Sequence, residues 1–196
     1  MSKLRITYNA PVVLTFAIAA VVVFVLTSVI GGDSKLWFTA WPRLVDTRSY
    51  VGLFTHILGH ASWQHLIGNF MLILLIGPIL EERHGSLRLL VMILVTALAT
   101  GLMALALGTG VMGASGIAFM MILLASMANV RGGQIPLTFI AVATIYLGGE
   151  IVAGVHGNDG ISHMAHLTGG AIGALFGFLA AGRRRVKAPD LKKLPI

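Results

Sequence analysis

The chain has 196 residues, of which 57% are hydrophobic and 11% charged. Soluble domains carry about 25% charged residues, so this composition excludes a soluble globular domain and points to a polytopic membrane protein with little outside the bilayer. The net charge is +7, yet the basic residues gather at the chain ends and in short loops, which argues against a nucleic-acid partner, and cysteine is absent, which excludes disulfides and thiolate metal sites.

A membrane-spanning helix needs about 20 apolar residues. Residues 1–10 carry Lys3 and Arg5 ahead of a first apolar run, residues 11–30. That run is too long for a signal-peptide core and is expected to stay as a first span. Residues 31–61 form a long mixed segment. Trp37 and Trp41 lie in it and Trp63 just beyond, which accounts for all three tryptophans. Tryptophan favours the bilayer interface, so this segment is expected to lie in or on one leaflet.

Further spans are expected at residues 63–80, 87–107, 115–130, 135–155 and 162–181. The second ends at Glu81-Glu82-Arg83-His84-Gly85, the fourth at Arg131-Gly132-Gly133, and the sixth at Gly182 and Arg183-Arg184-Arg185. Gly157-Asn158-Asp159-Gly160 reads as a turn. The expected fold is an all-α membrane protein, a six-transmembrane-helix bundle over residues 11–182. A short N-terminus (1–10) precedes it and a basic tail (183–196) follows.

Six spans place both termini on one side. That side holds 11 of the 14 Lys and Arg residues, and the other holds Lys35, Arg43 and Arg48. By the positive-inside rule both termini are expected to be cytoplasmic. The polar residues of the apolar segments then fall at one level. His56, His60, His65 and Asn69 lie around the outer end of the second span, Ser115 at the outer end of the fourth, and His166 at that of the sixth. Ionisable groups at membrane depth are costly and read as functional by default.

Ser115 sits in Gly113-Ala114-Ser115-Gly116, at the start of an apolar run. Glycine lets a ligand approach the backbone, and the first amides of a helix are unsatisfied donors that favour negative charge. A serine there can attack a carbonyl and have the oxyanion held beside it; the bland alternative is a helix start with Ser115 as its cap. His166 precedes Gly169, Gly173 and Gly177, which fall within roughly 60° of it on a helix turning about 100° per residue. Such a stripe lets two helices pack backbone to backbone, close enough to bring an imidazole to a serine on a neighbour; a generic packing stripe is the alternative. His65 and Asn69, four apart, share a helix face and offer hydrogen-bond donors for an oxyanion, or bonds between helices.

His56, His60 and His65 raise a metal site, but no carboxylate stands close to them in sequence and there is no His-Glu-x-x-His. No metal and no cofactor is expected. Glu150, about one turn from the outer end of the fifth span, reads equally as an interfacial, gating or buried residue. No acid lies near His166 on its span, and Asp159 is in the preceding loop. A Ser–His dyad is therefore expected rather than a triad.

These residues resemble the rhomboid family of intramembrane serine proteases, in its minimal six-span bacterial form. The pieces that carry the resemblance are His56 and His60 ahead of His65-x-x-x-Asn69, then Glu81-x-Arg83-x-Gly85, Gly113-x-Ser115-Gly116, and Ala165-His166-x-x-Gly169-x-x-x-Gly173. The resemblance implies a bundle with a cavity open to the outside, Ser115 as nucleophile and His166 as general base. His65 and Asn69, with the Ser115 amide, would line the oxyanion hole. The fifth span and the loop around residues 155–161 would gate substrate entry. Two positions depart from the family pattern. Val51-Gly52 stands where members often have Trp-Arg, which leaves the partner of Glu81 open. Phe119 stands where many bacterial members have tyrosine beneath the imidazole, keeping the stacking surface without the hydroxyl.

The expected function is a serine endopeptidase of the cell (inner) membrane that cleaves transmembrane segments of protein substrates, with the lipid bilayer as its other partner. The first alternative is a non-proteolytic rhomboid-like protein that binds membrane clients, and such proteins usually lack the serine or the histidine. The second is a histidine-rich metal or proton carrier, which would want carboxylates in several spans.

Overall fold

The computed structural model describes residues 7–127, 135–156 and 163–182. The expected turn at 157–160, Asp159, most of the gating loop, the stop at 131–133, and both basic termini lie outside the described residues, as does the side chain of Glu150. Seven α-helices are present among the described residues: α1 Pro11–Ile30, α2 Thr47–Thr55, α3 Trp63–His84, α4 Ser86–Leu107, α5 Ser115–Ser126, α6 Leu137–His156 and α7 His163–Gly182.

Six of these overlap the segments expected as spans, with shifted ends. α3 runs on through Glu81–Arg83 to His84, because the charged residues complete its last turn before Gly85, at φ 85°, breaks it. Four helices, α1, α3, α4 and α7, are long and apolar enough to cross a membrane by length and composition. α5 and the Leu137–Gly149 stretch of α6 are shorter apolar helices. The outer surface is apolar. Val21, Val25, Leu75, Ile79, Leu94 and Leu175 are all exposed, as expected of a bundle whose solvent is lipid.

α5 is the centre of the bundle. Ile117, Ala118 and the run Met120 to Leu124 are buried. A helix that is apolar all round belongs in the interior. Its most extensive contact is with α7. The reason is the glycine stripe: a methyl group added at Gly169 would run into the Gly116 carbonyl oxygen, and one at Gly173 into that of Met120. At Gly177 it would lie 2.6 Å from Met127 Sδ. Backbone therefore packs against backbone at Gly169 and Gly173, and against the Met127 side chain at Gly177.

The segment 31–61, expected as a mixed interfacial loop, contains a structured layer. Gly32–Phe38 is 3-10 helix, and α2 starts in a capping box in which the Asp46 side chain accepts from the Ser49 amide at 2.9 Å. Gly52, the departure from the family pattern, allows a close crossing, since a Cβ there would run into the Thr39 carbonyl oxygen. Gly101 of α4 likewise leaves only 2.7 Å between a would-be Cβ and the Leu53 carbonyl oxygen. Glycines on α2 and α4 thus seat this layer on the bundle.

The partner of Glu81 is α1. Its two carboxylate oxygens accept from the amides of Val12 and Val13, each at 3.0 Å. α1 has Ala10 at its N-cap, with no side-chain cap of its own, and Pro11 supplies no N–H. The buried carboxylate from the far end of α3 does the capping instead.

Candidate active site

Three elements converge at the end of the bundle where α3, α5 and α7 begin. The segment leading into α5 is held from both sides. Val111 and Ala40 exchange backbone hydrogen bonds at 2.8 and 3.0 Å, and the Gly113 amide donates to the His56 carbonyl at 2.9 Å. Gly113 has φ 122°, open to glycine and rarely to other residues. A Cβ there would lie 2.6 Å from His65 Cε1 and 2.7 Å from His65 Nε2. So this glycine both makes the turn and lets the imidazole of α3 lie over the backbone two residues before Ser115.

Ser115 is the first residue of α5 and half-buried. Its neighbour Gly116 meets α7: an added Cβ would lie 3.3 Å from the Ala165 carbonyl oxygen, next to His166. The buried His166 ring stacks on Phe119, one turn into α5, with centroids 4.4 Å apart and planes 6° from parallel. Tyr146 of α6 packs edge-on against Phe119, with ring centroids 5.9 Å apart. Sequence reasoning missed Tyr146, because nothing in the pattern of α6 sets it apart from a lipid-facing residue.

His65 and Asn69 lie on one face of α3, which starts with the Ser62 hydroxyl accepting from the His65 amide at 3.2 Å. Asn69 Nδ2 is 3.1 Å from His60 Nε2, and the Ala114 amide donates to that same nitrogen at 3.4 Å. Both contacts are donors, so Nε2 of His60 is the acceptor and its proton is on Nδ1, which donates to the Leu58 carbonyl at 3.2 Å. Burial pushes the His60 imidazole, which lies in the link outside the spans, down to about 4, favouring this neutral form. The Asn69 amide spends one hydrogen on His60 and has a second to offer.

His56 serves a different purpose. Its ring bridges the α2 carbonyl of Gly52 and the hydroxyl of Thr100 on α4, each at 3.0 Å. Burial pushes it down to about 4 as well. His56 and His60 are thus engaged with protein groups. Among the described residues no three His, Asp or Glu side chains come together in a way that could hold a metal ion.

The arrangement sets a hydroxyl at a helix mouth, with an imidazole stacked on the same helix one turn along. It also sets an imidazole and an amide from a third helix beside the backbone leading to that hydroxyl. This is chemistry suited to nucleophilic attack on a carbonyl, with donors near the developing oxyanion.

Residues 47–183 match the family model described as the Rhomboid domain. The chain is 28% identical over 178 residues to the rhomboid protease GlpG of Yersinia enterocolitica serotype O:8 / biotype 1B, an alignment that takes in 86% of this chain and 62% of that relative. The chain thus spans less than two thirds of the length of the curated relative it matches.

Proposed function

This chain is an integral membrane protein that belongs to the rhomboid family, and on that premise we propose that it is an intramembrane serine endopeptidase acting on transmembrane segments of protein substrates. The observation that carries the reading is the meeting of His65 and Asn69 of α3, the Gly113–Ser115 backbone, and His166 of α7 at one end of the bundle. Ser115 Oγ attacks the scissile carbonyl while His166 takes its proton. The oxyanion of the tetrahedral intermediate is held by the Ser115 amide, His65 and the second Asn69 N–H. His166 then protonates the leaving amine, and the acyl-enzyme is released by water on the reverse route. Phe119 gives the imidazole a flat surface to rest on, as no acid is on α7 to orient it.

In this reading residues 11–182 form six spans in the cell inner membrane. The N-terminus (1–10) and basic tail (183–196) are cytoplasmic, and the site opens to the other side. The 11-to-3 division of Lys and Arg supports the orientation. The test is fluorophosphonate labelling of the purified chain together with cleavage of a model transmembrane substrate. Labelling and cleavage should both vanish in Ser115→Ala, and cleavage in His166→Ala. A folded wild type that neither labels nor cleaves would leave a client-binding role as the better reading.

A further inference from the structure

At the opposite end of the bundle from Ser115 lies a cavity of about 720 Å³, walled by the end of α3, the start of α4 and the last turns of α5 and α7. Its size falls in the range of ligand sites, roughly 300–1,000 Å³. Two kinds of group line it. Arg83, His84 and Arg88 stand where α3 turns into α4, and Leu124 and Phe176 form an apolar wall behind them. Leu179, which also lines it, is 57% exposed, so the cavity reaches the apolar outer surface of the bundle, the face a bilayer covers when the helices span it. Glu82 is exposed and does not line it. Arg88 makes no salt bridge among the described residues.

We propose that this cavity is a binding site for an anionic glycerophospholipid, its phosphate held at Arg83 and Arg88 and an acyl chain lying along Leu124, Phe176 and Leu179. Charge selects the headgroup: basic pockets between helix ends at the positively biased face of a membrane protein attract anionic lipids. Shape selects a lipid over a soluble anion, because the cationic mouth continues into an apolar space that opens to the membrane. A zwitterionic lipid fills the same space without the net attraction. The site is separate from the α5 N-terminus and requires no catalysis. Its closest functional consequence is on the α5–α7 contact, whose last glycine, Gly177, also lines the cavity.

The test uses the full chain carrying Ser115→Ala, so that the result is independent of any proteolysis. Native mass spectrometry from detergent would count adducts of palmitoyl-oleoyl phosphatidylglycerol and of phosphatidylcholine with the same chains. The wild-type cavity should retain phosphatidylglycerol preferentially. Arg88→Gln should lower that preference about fivefold, the equivalent of one cation near a lipid headgroup at about 1 kcal/mol, and Arg88→Lys should restore it. Ala180→Phe, which fills the cavity, should lower retention of both lipids. Equal retention of the two lipids by the Ser115→Ala chain with its cavity unaltered would overturn the proposal. So would an unchanged preference in Arg88→Gln, or displacement of the lipid by millimolar glycerol phosphate, which would mean a plain phosphate site.

Discussion

The ring of Phe119 lies flat under that of His166, with centroids 4.4 Å apart and an interplanar angle of 6°. Stacking of this kind fixes both the tilt and the depth of an imidazole that has no carboxylate on its own helix to orient it. Phenylalanine supplies this flat face without a hydroxyl. Tyr146 packs edge-on against the same Phe119 ring. An aromatic ladder therefore runs from α6, through α5, to α7.

This ladder predicts a graded series. Phe119→Tyr keeps the stacking face and should cleave within a few-fold of wild type. Phe119→Leu loses the flat face and should fall by about 10²-fold in kcat, the scale of a misplaced catalytic group, with little change in KM. Tyr146→Leu should give a smaller loss in the same parameter. Steady-state kinetics on a model transmembrane substrate would check this. Equal rates in Phe119→Leu and wild type would mean that the stack does not position the imidazole.

The hydrogen bonds of His60 predict an acid-sensitive fold. Its folded value, about 4, lies below the ordinary 6.5, and that of His56 does the same. Both are lowered first by burial. The unfolded chain therefore binds more protons between these two values, so stability from the two groups is fully present above pH of about 6.5 and is lost as pH falls through about 4. Protonating His60 Nε2 would also turn an acceptor toward two donors, Asn69 and the Ala114 amide. Melting curves in detergent across that window should show an acid loss, and His60→Gln should make its slope shallower without abolishing it, since His56 also contributes. An unaltered slope in the variant would assign the loss to other groups.

Glu81 predicts a purely structural effect. Replacing it by Ala leaves the part-buried amide of Val12 and the buried amide of Val13 without their acceptor, and an unsatisfied buried donor costs about 1–3 kcal/mol. Glu81→Ala should lower the melting temperature markedly, Glu81→Gln less, because one acceptor oxygen remains. The fraction that stays folded should cleave at the wild-type rate. A fall in kcat per folded molecule would mean that α1 takes part in holding the site.

What could be read from the chain alone follows from distance in sequence. The helices, the glycine stripe of α7 and the pairing of His65 with Asn69 on one face are carried by runs or spacings within single segments, where a helical period of 3.6 makes partners visible. The Glu81 cap joins residues nearly 70 positions apart, and no local pattern marks it. His56 with Thr100 and Tyr146 with Phe119 are tertiary in the same sense, and His60 reaches Asn69 from the link that precedes α3, outside the helical period. The segment 31–61 was legible only as interfacial. Its short helices are set by capping at Asp46 and by close approach at Gly52, not by an apolar stripe long enough to read.

The contact that brings α7 to α5 gives the sharpest prediction. Gly173 faces the Met120 backbone so closely that a Cβ would collide with the carbonyl oxygen, and the obstacle is main chain rather than a side chain that can swing away. Gly173→Val must therefore push the helices apart by something on the order of 1 Å. Displacement of that size costs about 10²-fold in rate, and overpacking costs roughly 1–3 kcal/mol. Activity and melting temperature should fall together. Gly148→Ala is the control: it lies on α6 with nothing within 4 Å of an added Cβ, and removing a helical glycine stabilises the helix slightly. It should melt at or above the wild-type temperature and keep its cleavage rate. If Gly173→Val matched the control in both measurements, the α5–α7 spacing would not set the distance between Ser115 and His166, and the proposed dyad would lose its main physical support.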